Sequence, residues 1–163
     1  MFGYLFLVIG IILGMIFGFI KNKKLPKNES WQILANWIFL FGIGLTGIFG
    51  FFGHTVMADY TANFIGWPTG SPFQTEVAIA NLGLGVLGII SFFTKSYGFK
   101  LATLIEVTIF LWGAAIGHVY HTINDGNSSG GNYGMIIPDI IIPLAIITLF
   151  LIAYKNRKNI KEN

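Results

Sequence analysis

The chain has 163 residues, 54% of them hydrophobic and only 10% charged, a balance too apolar for a soluble domain of this size and typical of an integral membrane protein whose first partner is the lipid bilayer. It has no cysteine, which excludes disulfides, thiolate metal sites and thiol redox chemistry. The net charge of +3 does not point to nucleic acid, because the basic residues punctuate the apolar runs instead of gathering on one face.

Residues 2–20 form an uninterrupted apolar run with Gly10, Gly14 and Gly18 at i, i+4 and i+8. Small residues at that spacing make a close helix-packing face. A signal peptide is the rival reading, but no basic residue precedes the run and no small-residue cleavage motif follows it. The basic linker KNKKLPK, residues 21–27, comes next. A second run, 31–53, is studded with Gly42, Gly44, Gly47, Gly50 and Gly53 and ends at His54. Val56, Met57, Tyr60 and Phe64 then recur at helical period with polar residues between them, which predicts a short interfacial helix or an extension of the second span.

GWPTGS, residues 66–71, reads as a turn. Ser71, Pro72 and Gln74 occupy the N-cap, N1 and N3 places of a capping box, so a third span is predicted over 72–93, with Glu76 in its second turn. Asn81 in this span reads as interhelical glue. Residues 95–100 are a short basic turn. The fourth run, 101–121, is about 31 Å long as a helix, the thickness of a bilayer's hydrocarbon core. It carries Glu106 near its start and His118 and His121, three apart on one face, at its end. Residues 124–134, NDGNSSGGNYG, read as a flexible polar loop. A last span over 136–154 is opened by Pro138 and Asp139 and is expected to bend at Pro143. A basic tail follows.

The predicted architecture is therefore an all-α integral membrane bundle of five transmembrane helices in a single domain. All ten Lys and Arg residues fall after span one, between spans three and four, and in the C-terminal tail. The positive-inside rule puts that side in the cytoplasm, with the N-terminus outside and the C-terminus cytoplasmic, in the cell membrane.

This topology gathers His54, Glu76, His118, His121 and Asp139 in one layer near the outer surface, with no Lys or Arg beside them. Imidazole and carboxylate together suit a transition metal ion, with His54, Glu76, His118, His121 and Asp139 as candidate ligands. Noncovalent haem held by His54 with His118 or His121 is a second reading. A third is proton exchange with a small molecule such as a quinone. Against all three stands a purely structural layer of polar residues reaching interfacial water, in a noncatalytic membrane subunit that holds a membrane-protein partner or a second copy through its glycine faces. Glu106, alone on the inner half, is either a carboxyl hydrogen-bonded to Thr103, Thr108 or a neighbouring helix, or a separate proton or ligand group. Trp31, Trp67 and Trp112 read as belt or packing residues.

Two stretches, GWPTGSPFQTEVAIANLGLGVLGII over 66–90 and ATLIEVTIFLWGAAIGHVYH over 102–121, resemble an uncharacterised family of small bacterial and archaeal multi-pass membrane proteins. A more distant similarity is to DoxX-like four-helix membrane proteins. The first resemblance implies an integral membrane location and no assigned reaction. The second implies respiratory or quinone-linked redox partners and carries no site residue over.

Overall fold

Pro26, extended at φ −55°, ψ 143°, ends the first linker and starts a helix that carries Glu29 in its first turn, where the helix dipole favours a carboxylate. In the computed structural model, which describes residues 2–155, every regular element is a helix. They are α1 (Phe2–Met15), α2 (Lys27–Ile38), α3 (Thr46–Thr55), α4 (Ala58–Ile65), α5 (Phe73–Phe93), α6 (Tyr97–Asn124) and α7 (Gly130–Lys155). Two wider π-helical stretches extend them. Ile16–Ile20 prolongs α1, and Phe39–Leu45 fuses α2 to α3.

Four helices are long and apolar enough to cross a bilayer: Lys27–Thr55, Phe73–Phe93, Tyr97–Asn124 and Gly130–Lys155. The first predicted span is a shorter apolar helix, Tyr4–Ile20. The several long apolar helices are what a multi-pass membrane protein requires. The part of the basic tail beyond Lys155 lies outside the described residues.

Several helix ends differ from the sequence expectation. The helix of the second span starts at Lys27, inside the basic linker. The predicted basic turn at 95–100 shrinks to Thr94–Ser96, because the Ser96 hydroxyl accepts from Phe99 N at 3.2 Å and caps α6 early. The predicted loop at 124–134 is likewise shorter. Helix α7 begins at Gly130 and runs through Pro138 and Pro143. The capping box at Ser71 does not form as such: the Ser71 hydroxyl accepts from Phe73 N at 3.3 Å, while the Gln74 side chain is buried and turned elsewhere.

Lipid offers no hydrophobic drive between helices, so contact must come from close fit. The glycines supply it. A Cβ at Gly10 would lie 2.9 Å from the Trp37 carbonyl oxygen, and one at Gly18 would lie 2.6 Å from that of Ser30, so α1 and its extension are seated against α2. Gly44 on the second π-helical stretch and Gly47 and Gly50 on α3 meet Gly88, Gly85 and Asn81 of α5 in the same way. The two predicted glycine faces are thus used inside the chain. Around them Leu34, Ile38, Phe39, Ile43, Ile146 and Phe150 form the centre of the core. At the opposite end from the histidines, Lys100 is buried at 2% exposure, donating to the Asn36 side-chain oxygen and lying 6.0 Å from the ring centres of Phe39 and Tyr154.

Candidate functional site

The end of α3, the start of α5, the end of α6 and the first turns of α7 meet at one end of the bundle. Between them lies a cavity of about 540 Å³ whose wall includes His54, Asn81, His118, His121 and Asp139. The remainder is mostly apolar or aromatic, with Tyr4, Phe49, Trp67, Phe73 and Phe110 among its lining. Two glycines of α6, Gly113 and Gly117, also line it, and a Cβ on either would meet nothing within 4 Å.

Each of two histidines is held by a buried amide. Gln74 Nε2 donates to the Ala58 carbonyl at 2.7 Å, which turns its oxygen toward His54 Nδ1, also at 2.7 Å. An amide oxygen can only accept, so His54 Nδ1 carries the proton. On the other side Asn132, with 0% exposure, directs its nitrogen to the carbonyls of His118 (3.1 Å) and Asn127 (3.2 Å) and to the Thr122 hydroxyl (2.8 Å). Its oxygen therefore accepts from His118 Nδ1 at 2.8 Å. In the neutral form each ring is thereby held as the tautomer whose Nε2 carries the lone pair.

His118 Nε2 faces Asp139 Oδ2 at 3.7 Å. That is beyond hydrogen-bond reach. Asp139 is 3% exposed, and among the described residues no hydrogen bond to its carboxylate is formed. A lone pair and a carboxylate oxygen set against each other in a low-dielectric wall need a proton or a hydrogen-bearing group between them.

The roof of this end is α4. Thr61 donates to the Gly53 carbonyl at 2.7 Å, while Asn127 and Ser129 donate to the Ile65 carbonyl at 3.0 and 2.5 Å. Gly66 ends α4 in the left-handed region at φ 80°, where a side chain would be strained. Trp67 then lies over His54, with ring centres 6.0 Å apart.

Of the residues expected in the layer, His54, His118 and Asp139 come together on the cavity wall. His121 stands at its margin, where Nδ1 is paired with Asp125 four residues on. Glu76 does not join them. It is exposed and absent from the lining, because it lies two residues, about 200° of helical rotation, from Gln74, which faces inward. Among the described residues no group of three His, Asp or Glu side chains is placed to hold one metal ion. Glu106 is also exposed and makes neither expected threonine bond: Thr103 donates to Phe99 O at 3.1 Å and Thr108 to Leu104 O at 2.7 Å. Asn81, expected as interhelical glue, packs against Gly47 and Gly50, while its amide donates to Val77 O of its own helix.

Gln74 and Asn132, which orient the two imidazoles, were not among the expected site residues. Gln74 had a signal in sequence. Gln74, Ala78, Asn81, Gly85 and Gly88 recur at alternating spacings of four and three and mark one face of α5. Asn132 had none, since it sits in a stretch composed like a loop.

The whole arrangement sits in a chain that matches, over residues 1–159, the family of unknown function DUF6790. The chain belongs to that family. No curated protein and no solved structure is found to be similar to it.

Proposed function

We propose that this DUF6790 protein binds a small, largely apolar organic molecule in the bundle-end cavity, gripping its polar head at His118 and Asp139 and exchanging a proton with it. The observation that carries this reading is the 3.7 Å gap between His118 Nε2 and the buried Asp139 carboxylate. The gap opens on a cavity of about 540 Å³, within the usual range for small-molecule sites. A single hydrogen-bearing group interposed there satisfies both partners. Gln74 and Asn132 keep the ring nitrogens ready to accept, and the aromatic wall receives the apolar body.

Metal ligation by His54, Glu76, His118, His121 and Asp139 has less support, because no three ligating side chains converge among the described residues. We place the cavity on the outer side of the membrane by the positive-inside argument, with α1 as a fifth crossing. A reporter fused after Asn163 is then expected to read cytoplasmic. An external readout would overturn the sidedness. The distant DoxX-like resemblance accords with a membrane-dissolved ligand.

The direct test is binding of a neutral aromatic alcohol, 1-naphthylmethanol, followed by thermal shift and by quenching of tryptophan fluorescence in detergent. Gly117→Leu should fold as the parent does, since its Cβ meets open space, and should lose that binding. If neither this alcohol nor its ammonium analogue binds the parent, the cavity is not a ligand site.

A further inference from the structure

Given that the cavity is a ligand site, we infer that its ligand is an organic cation, a protonated amine on an apolar body, and that binding it displaces one proton from the His118–Asp139 pair.

Most hydrogen-bond donors on the wall are spent within the protein. The hydroxyl protons of Thr46 and Thr61 are spent on the carbonyls of Phe41 and Gly53, at 3.1 and 2.7 Å. The Asn81 amide donates to Val77 O at 2.9 Å. Both Nδ1 protons of His54 and His118 are spent on the amide oxygens of Gln74 and Asn132. What the wall offers a ligand is therefore mostly acceptors: the Asp139 carboxylate and two imidazole Nε2 lone pairs. The neutral donors remaining among the described lining residues are the Tyr4 hydroxyl, the Trp67 indole and the second Asn81 amide hydrogen. A head that accepts would find few partners here; a head that only donates finds several.

Charge favours the same head. Among the described residues, the cavity lining contains neither Lys nor Arg. The ionisable groups around Asp139 are His118 and His121 from α6, His54 from α3 and Tyr4 from α1. Helix α2 sends no ionisable side chain into the lining, and α4 sends Thr61 and Ile65. Aromatic faces at Phe49, Trp67 and Phe73 border the same space and attract cations through their quadrupoles.

A buried ionisable pair in a membrane protein is cheapest with its net charge held at zero. With no ligand, the pair meets that condition by holding one proton, on the imidazole or on the carboxylate. When an ammonium enters, the condition is met again if that proton leaves. The balance is (His118/Asp139)H plus R–NH₃⁺ giving the deprotonated pair bound to R–NH₃⁺, plus H⁺ released to water. Nothing is oxidised or reduced, and no bond breaks apart from the one to the departing proton.

The test compares 1-naphthylmethylammonium with 1-naphthylmethanol, which share shape and differ in charge. The parent protein should bind the ammonium about tenfold or more tightly than the alcohol. In the pH range where the unliganded pair holds its proton, ammonium affinity should rise about tenfold per pH unit. Titration in two buffers of different ionisation enthalpy should show about one proton released per ligand. Asp139→Asn keeps the shape of the side chain and should erase both the preference and the pH slope while still binding the alcohol. If the alcohol binds and the ammonium binds no better, or binds without proton release, the cation inference fails and the cavity reading stands. If neither probe binds, both fail.

Discussion

Two faces of this molecule carry glycines at helical spacing and use them in opposite ways. On α3, Gly47 faces α5 so closely that a Cβ would lie 2.5 Å from Gly85 N and 2.6 Å from the Asn81 carbonyl oxygen. On α6, Gly113 and Gly117 are spaced four apart in the same manner, yet a Cβ on either meets nothing within 4 Å. The first face is closed by backbone; the second borders the cavity that also holds His118 and Asp139. Glycine spacing therefore states that a helix face is bare. What stands opposite decides whether that bareness makes a joint or a chamber.

The most damaging way to break the contrast is to put bulk on the closed face. Gly47→Leu must push α3 and α5 apart, because the obstructing atoms are backbone and cannot rotate away. A loss of about 3 kcal/mol or more is expected, read as a fall in the unfolding midpoint in detergent. Gly117→Leu, the matched change on the open face, should leave that midpoint near the parental value. Equal damage from the two would mean that the α6 glycines are also a packing joint and that the cavity closes in the bilayer.

A smaller loss is expected at the wall that links the two regions. Asn132→Ala removes the partner of His118 Nδ1 and strips donors from the His118 and Asn127 carbonyls. About 2 kcal/mol should be lost. A structural role alone predicts that loss and nothing else. The orienting role adds a signature: nitrogen NMR of the His118 ring should report mostly the Nδ1–H tautomer in the parent and a mixture in the variant. An unchanged tautomer would remove Asn132 from the site.

The contrast also explains which parts of this protein could be read from sequence. Apolar run length identifies long helices without tertiary information, so the all-α class and the rough positions of the helices were legible. The ends were not all legible: the Gly130–Asn132 stretch takes its role from Phe64 and His118, outside the local window, while the local Ser96 cap lies inside a stretch whose charges read as a turn. His54, His118 and Asp139 were legible as a layer because their depth along the helices follows from counting residues. Depth does not give azimuth. Glu76 has the right depth and the wrong face, and Glu106 lies on an exposed face with its expected partners Thr103 and Thr108 already bonded to their own helix. Gln74 was read as a cap because its spacing from Ser71 fits one; the buried requirement of His54 and Ala58 outweighs an exposed capping bond.

The mildest change sharpens the comparison most, because it reverses sign. Gly117→Ala adds one methyl group to the open face, and alanine loses less backbone entropy than glycine in a helix. With no neighbour within 4 Å of the new Cβ, the variant should gain about 0.5 kcal/mol. The same substitution at Gly47 meets backbone and should lose stability. A methyl group also takes space from the cavity beside His118, so binding of 1-naphthylmethanol should weaken by a few-fold even as the protein becomes more stable. Stability and affinity moving in opposite directions at Gly117, and stability falling at Gly47, is the pattern a chamber and a joint produce. If Gly117→Ala destabilises the protein, a partner atom that occupies the chamber in the bilayer has been displaced, and α6 then belongs with the closed faces.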